Sequence, residues 1–437
     1  MPRRSLIVAL ALVATVARAE EPGPSDAHAA PLAAMQAQLD ELRAQQAALQ
    51  ARLVAAEARP PTEPRAGHTV TFTAAPGKGL TVGVGDLFSL SLRTRVQVRD
   101  TVVVQEGQPT TNELNVRTIR LWLQGHMLTR DLQYAFQLAF VGNDPDADLP
   151  NPILDAWVEY VRLRDLKIRV GQFFVPLDRA RTTWELAMQL PDRAQVLTEL
   201  SLDRDVGIQL SSTDLFGAHG ILGYSLGVFG GEGKNRLGGA AVGFLYVARL
   251  VVTPFGPFDD YLEGDLQRLR RPRLAIGIGG AYNQSTNRPR STTGKALTLG
   301  TFDYGHAAAD LVFKIAGFSI MAEVLYRQAR QGSLTGIVDG QPVRQWSRSA
   351  VGWLVQAGMM VHSRVELVAR YDDLRPLGQT DPELIATAAA TGKELGGGVN
   401  VFVYGHALKV QADYQHLFGE SIRGGRHALH VQLEASF

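Results

Sequence analysis

From Leu87 onward the side chains alternate between apolar and polar with a period of two, the repeat of a strand with one apolar face. Phe88, Leu90, Leu92, Val96 and Val98 alternate with Ser89, Ser91, Arg93, Arg95, Gln97 and Arg99. The last eleven residues do the same, with Leu429, Val431, Leu433, Ala435 and Phe437 on one parity and His430, Gln432, Glu434 and Ser436 on the other. Sixteen such runs lie between 88 and 437, linked tightly at Asp165, Gly405 and His362-Ser363 and by long segments at 174 to 205 and 253 to 272. An even number of two-faced strands predicts an all-β fold, a transmembrane antiparallel β-barrel of about sixteen strands, wide enough to hold water. Short turns on the periplasmic side and long loops outside would account for the uneven links. Tyr160, Tyr282, Tyr326, Tyr371, Tyr404 and Tyr414 fall near the ends of runs, where an interfacial aromatic belt is expected.

The residues before the barrel follow other periods. Arg3 and Arg4, the apolar stretch Leu6 to Val16, and Ala17-Arg18-Ala19 describe a cleaved signal peptide over 1–19. In 20–59, Leu32, Leu39, Gln46 and Leu53 recur every seven residues, with Met35, Leu42, Leu49 and Ala56 three further on, which predicts a short N-terminal coiled-coil helix. A frayed or disordered spacer is the other reading of so alanine-rich a segment. Pro60, Pro61 and Pro64 open a linker assigned to 60–84, and the barrel domain is placed at 85–437. No stretch after the signal reaches the roughly 18 apolar residues of a spanning helix. Export and a strand-built membrane domain together place the protein in the outer membrane of a Gram-negative bacterium.

Composition adds little to the fold but narrows the chemistry. The chain has 437 residues, a net charge of +1 and no cysteine, which excludes disulfides, thiolate metal sites and thiol nucleophiles. Gly223-Tyr224-Ser225-Leu226-Gly227 matches a nucleophile-elbow pattern but sits inside an alternating run. His427 and His430 have opposite parity, and Gly233-Lys234 lacks the rest of a phosphate-binding loop. No enzyme activity, cofactor, metal site or nucleic-acid partner is expected.

The basic residues matter because of where parity puts them. An arginine facing lipid near the bilayer midplane costs roughly 2 to 4 kcal/mol, so basic residues opposite an apolar face are assigned to the lumen. These are Arg93, Arg95, Arg99, Arg120, Lys167, Arg169, Arg249, Arg327, Arg364, Arg370 and Lys409. Same-parity neighbours stand about 6.6 Å apart, so Arg93, Arg95 and Arg99 form a short ladder along the permeation path. Such a lumen favours anions over cations, and guanidinium forks suit phosphate. Glu159, Glu323, Glu366, Asp413 and Glu434 would neutralise part of the field. The segment Phe174 to Asp205, with Arg179, Arg181, Trp184, Glu185, Asp192, Arg193, Asp203 and Arg204, is too long for a hairpin and is the candidate constriction loop. An external loop with solvated charges is its alternative.

Several ordered segments also carry a family resemblance. Val116-Arg117-Thr118-Ile119-Arg120-Leu121 precedes Asp155-Ala156-Trp157-Val158-Glu159-Tyr160 and then the turn-like Arg169-Val170-Gly171-Gln172-Phe173-Phe174-Val175-Pro176. Arg204-Asp205-Val206-Gly207, Gly352-Trp353, Ala369-Arg370-Tyr371-Asp372, Gly398-Val399-Asn400 and Lys409-Val410-Gln411-Ala412-Asp413-Tyr414 follow in order. Over Gly85 to Phe437 the chain resembles the phosphate-selective porins O and P. The resemblance implies a homotrimer of sixteen-stranded channels with a basic interior and one long loop folded into the lumen. It also implies that Phe437 is read by the barrel-assembly machinery. The chain departs from the family pattern at Phe174, where lysine is usual, and at Leu177-Asp178, where phenylalanine-glycine is usual; it has only seven lysines. The function expected is therefore an anion-preferring channel for small solutes, with phosphate and other oxyanions as candidates. A lipase-like barrel enzyme and an envelope-tethering barrel with incidental conductance are the alternatives.

Overall fold

The structure, a computed structural model, describes residues 36–37, 40–51, 69–141, 151–235 and 243–437. The chain divides into two compact units, 1–68 and 69–437. In the first, 36–37 and 40–51 are helical, with Leu42 and Leu49 exposed. The signal sequence and the remaining heptad positions lie outside the described residues.

Among the described residues the second unit contains twenty strands. They are β1 (Val70–Ala75), β2 (Gly79–Val84), β3 (Phe88–Gln105), β4 (Thr111–Met127), β5 (Thr129–Ala139), β6 (Ile153–Tyr160), β7 (Lys167–Phe174) and β8 (Arg204–Ser212). After these come β9 (Leu222–Phe229), β10 (Leu245–Val252), β11 (Arg273–Thr286), β12 (Phe302–Ile315), β13 (Phe318–Ala329), β14 (Ser333–Val338) and β15 (Gln341–Trp346). The last are β16 (Ala350–His362), β17 (Val365–Pro376), β18 (Lys393–Tyr404), β19 (Leu408–Phe418) and β20 (Arg426–Ser436). From β3 to β13 and from β16 to β20 each strand pairs antiparallel with the next, β13 pairs with β16, and β20 returns to β3 with Leu433 opposite Val98. The result is a closed barrel of sixteen strands, as the alternation predicts.

Its sides are inverted relative to a water-soluble protein. On β20, Leu429, Val431 and Leu433 are each close to half exposed on the outside, while His430, Gln432 and Glu434 are buried inside. The outward faces of β10, β13 and β18 carry Tyr246, Leu250, Val324, Tyr326, Val399 and Val401 in the same way, the surface that lipid requires. Among the described residues no helix is long and apolar enough to cross a membrane, which says nothing of strands.

Three elements differ from the sequence expectation. Residues 70–84, assigned to the linker, form the hairpin β1–β2, whose second strand extends the sheet along the start of β3, with Leu80 opposite Leu92. Positive φ at Gly77 and Gly79 turns this hairpin; its strands are too short to register as alternation. The hairpin β14–β15 turns on Asp339 and Gly340, both at positive φ, the two-residue geometry that Asp-Gly favours. The Arg169 to Pro176 segment, likened to a turn, is mostly strand β7.

The long segments 175–203 and 253–272 leave opposite ends of the barrel. The first joins β7 to β8 at the long-loop end, whereas the second joins β10 to β11 at the end of the short turns Leu128, Ser363-Arg364 and Gly405. The grouping of 253–272 with the outer loops is thus corrected: strict antiparallel alternation places it on the other side. Both segments fold inward and meet. Arg179 donates to Asp260 and, at 2.6 Å, to Asp310, and the Gln189 amide donates to Glu263 at 2.7 Å.

Short helical turns at Arg179–Thr182 and Gln195–Leu200 give the first segment an apolar face. Val175, Leu177, Ala180, Val196, Leu197, Leu200 and Leu202 pack against Leu245, Val312, Met321, Leu325, Leu354 and Leu374 of the wall. Burying an aliphatic side chain is worth roughly 1.5 to 3 kcal/mol, so this face alone supplies a large anchoring term. Space is left by inward-facing glycines. A Cβ on Gly358 would lie 1.9 Å from the Gln189 amide nitrogen, and one on Gly279 would lie 2.3 Å from the Leu177 carbonyl oxygen.

Candidate functional site

Two cavities lie in the lumen beside the seated loop, and the residues that line both mark the junction between them, the waist. The cavity toward the short-turn end has a volume of about 660 Å³ and the one toward the long-loop end about 650 Å³. Arg120, Glu185 and Arg204 line both. Glu185 is held by Arg95 at 2.7 Å and Arg120 at 2.5 Å, with Arg193 at 3.9 Å. Arg204 is fixed from the other side, by Asp155 at 2.9 Å and by stacking 3.7 Å above the Phe174 ring. Burial opposes charge on Glu185, but Arg120, Arg95, Arg193 and Arg204 outweigh it and hold the carboxyl well below its usual range. Asp192 is likewise lowered despite burial, by Arg99, Arg117 and His430.

Strand β3 places the predicted ladder at this waist, but not as bare cations. Arg95 donates to Glu434 at 2.8 Å as well as to Glu185, and Arg99 donates to Gln432, Asp192 and the Pro191 carbonyl at 2.7 to 2.9 Å. Among the described residues Arg93 alone of the three has no carboxylate or hydrogen-bond partner; its guanidinium lies 5.6 Å from the centre of the Trp184 ring. Arg95 and Arg99 line the long-loop-side cavity, and Arg93 the other.

The remaining basic residues separate into two groups. Arg169 and Arg249 line the short-turn-side cavity, and Arg181 and Arg193 the long-loop-side one. Arg327, Arg370 and Lys409, by contrast, line neither cavity because the loop covers them, and neither does Arg179, which lies in the loop itself. Arg327 binds Glu199, Arg370 donates to the Asp192 carbonyl and Glu394, and Lys409 donates to the Leu186 and Met188 carbonyls at 2.9 Å. Arg327, Arg370 and Lys409 are buried on the inward side of their strands and hold the loop. Lys167 sits near the short-turn rim, donating to the Thr213 hydroxyl. Arg364 is corrected: it lies exposed in the turn between β16 and β17, outside the strand whose parity was used to place it.

Parity missed Arg117, Lys234, Arg348 and Arg426, all of which line the long-loop-side cavity. Arg117 is the extra residue of a β-bulge, since Gln97 pairs with Thr118 and Val98 with Val116. The bulge brings it 3.6 Å from Asp192, a re-aiming that alternation cannot show. Lys234, Arg348 and Arg426 lie in or beside long loops. Among the described residues, ten basic side chains and five carboxylates line this cavity, against five and four in the other.

Gly171 illustrates how closely the wall is built. It has a φ of +135°, and a Cβ there would fall 2.1 Å from the Ala156 carbonyl oxygen and 2.7 Å from the Cα of Trp157. Only glycine lets β7 approach β6 at this point, with Trp157 stacked under Arg169 at 4.3 Å. Ser225 of the elbow-like motif lies mid-strand in β9, opposite Ser211 and Arg249, rather than at a strand-to-helix turn. Among the described residues no group of three or more histidine, aspartate or glutamate side chains is placed to hold a metal.

The chain is similar in fold to OmpF of Salmonella typhi, solved with daunomycin, at 12% identity and a TM-score of 0.52 over 84% of this chain and 100% of that one. It is also similar to the outer-membrane channel DcaP of Acinetobacter baumannii, at 11% identity and a TM-score of 0.49 over 80% and 97% of the two chains. The anion-selective porin of Comamonas acidovorans gives 12% identity and 0.47 over 80% and 99%. No curated protein sequence matches the chain. The family described as phosphate-selective porin O and P matches residues 88–421, and with the closed sixteen-stranded barrel and its polar, loop-narrowed interior, this chain belongs to that family of outer-membrane porins.

Proposed function

We propose that the protein is an anion-preferring porin whose ions pass through the waist between Arg120, Glu185 and Arg204. One observation carries the reading: among the described residues, ten basic side chains face five carboxylates around the long-loop-side cavity. An excess of fixed positive charge in a narrow, low-dielectric lumen raises the local anion concentration and repels cations. Arg95, Arg99 and Arg120 of the wall and Arg181, Arg193 and Arg204 of the inner loop region contribute to that field, and Arg93, Arg169 and Arg249 add to it from the short-turn-side cavity.

The same reading places the long-loop end outside and the short-turn end in the periplasm, as in other barrels of this class. It also holds that residues 1–19 are removed on export, that 20–59 associates as a coiled coil, that the exposed Phe437 contacts the assembly machinery, and that the barrels form a homotrimer in lipid. Inorganic phosphate is a candidate solute, because each guanidinium can offer it two donors. The test is the reversal potential of the reconstituted full-length pore in a potassium chloride gradient. Chloride preference is expected, weakened when Arg93, Arg95 and Arg99 are replaced together by glutamine; potassium preference would overturn the reading. Titrating phosphate into the chloride current then decides phosphate binding, since a binding pore is blocked at low concentration.

A further inference from the structure

Three of the five tryptophans in the chain, Trp122, Trp157 and Trp184, line the short-turn-side cavity instead of lying on the barrel's outer surface. Interfacial belts are the usual place for tryptophan in a membrane barrel, and a water-filled lumen normally leaves such rings poorly solvated. Trp184 stands at the start of the turn Glu185–Ala187 with 55% of its surface exposed, although the loop that carries it is otherwise largely buried. Beside it is Arg93, the one ladder arginine without a carboxylate or hydrogen-bond partner among the described residues. Farther round the same cavity, Arg169 lies over Trp157 and Arg204 over Phe174. The wall therefore presents apolar ring surface and guanidinium donors side by side.

We infer that this cavity binds aromatic carboxylates, anions that join a planar apolar ring to a carboxylate. The inference rests on the anion-preferring reading and narrows its substrate class. A carboxylate satisfies the two-donor fork of Arg93, while the attached ring covers Trp184 in an offset or edge-on arrangement. Inorganic phosphate or acetate meets the arginine but leaves the ring surfaces wet. A neutral sugar covers rings but leaves Arg93 unpaired. Cavities of this volume are of the size that small organic ligands occupy.

The experiment uses the full-length pore in planar bilayers, carrying chloride current, with benzoate, acetate, inorganic phosphate and maltose added in turn. Benzoate is expected to half-block the current at a concentration about tenfold lower than acetate, the size of effect one aromatic contact supplies. Trp184→Ala removes that difference between benzoate and acetate, and Trp184→Phe restores most of it. Equal potency of benzoate and acetate, or block by phosphate or maltose at lower concentration than benzoate, overturns the inference. If Trp184→Ala fails to assemble, the comparison of benzoate with acetate on the unsubstituted pore decides alone. A reversal potential favouring potassium would instead remove the anion reading beneath it.

Discussion

Replacing Glu185 with glutamine removes the negative charge of a residue that lines both cavities while keeping the side chain's size. Glu185 lies within 2.7 Å of Arg95 and Arg120, and its side chain is 22% exposed, so its charge is felt by an ion in the passage. Two unit charges about 6 Å apart interact by roughly 0.7 kcal/mol at the dielectric of water and about 2.8 kcal/mol at an effective value near 20. Even the weaker figure changes the occupancy of a monovalent ion by about threefold. Chloride gains and potassium loses, so the chloride-to-potassium permeability ratio is expected to rise about tenfold at 0.1 M salt, where the screening length is near 10 Å. At 1 M, where that length falls to about 3 Å, most of the gain disappears. The assay is the reversal potential of single channels in a salt gradient at both concentrations. Heat-modifiable gel mobility confirms that the variant barrel is folded. A folded variant whose ratio stays within twofold of the parent at 0.1 M, or falls, would refute the assignment of the waist.

Other expectations follow from the way the loop is held. Gly358→Leu puts a side chain where Gln189 lies, so the loop is displaced, and single-channel conductance should rise while ion preference falls. Arg179→Ala unlatches the loop from both Asp310 and Asp260; breaking such a buried pair costs about 3 to 5 kcal/mol, and proteolysis within 175–203 should quicken measurably. The pH response is set by depressed carboxyls: Glu185 and Asp192 are held below their usual range, so the stability their pairing contributes is complete above the unfolded value near 4 and is lost only as pH falls through the lower folded value. The share of ion preference that Glu185→Gln removes should therefore stay constant from pH 7 to about 4.5 and change only in stronger acid; a share that titrates between pH 5 and 7 would contradict this.

Strand count and facing were legible because lipid enforces one chemistry on the outside. Arg95, Arg249, Arg327, Arg370 and Lys409 all point inward as parity requires. What parity does not show is whether an inward group meets water or protein. On β12 and β13, Ala308, Val312, Met321 and Leu325 face inward yet are apolar, since the loop covers them, and alternation weakens there for that reason. Arg327 and Lys409 read as part of the ion path because nothing local marks the Glu199 carboxylate and the loop carbonyls that take their charge. The bulge at Arg117 and the end of the barrel from which 253–272 departs depend on pairing between strands, which no single run reveals.

The in-folded loop also constrains the order of assembly. Its polar contacts down the chain include Gln189 to Ser319, 130 positions apart, and Leu186 to Lys409, 223 apart. Contacts of such span cannot form until the chain between them is in place, and they are slow to find. The seat of segment 175–203 is therefore unfinished until β19 has joined the sheet, almost when β20 closes on β3. Narrowing of the passage and sealing of the wall then belong to one late event, so no earlier stage of the barrel possesses a completed ion filter.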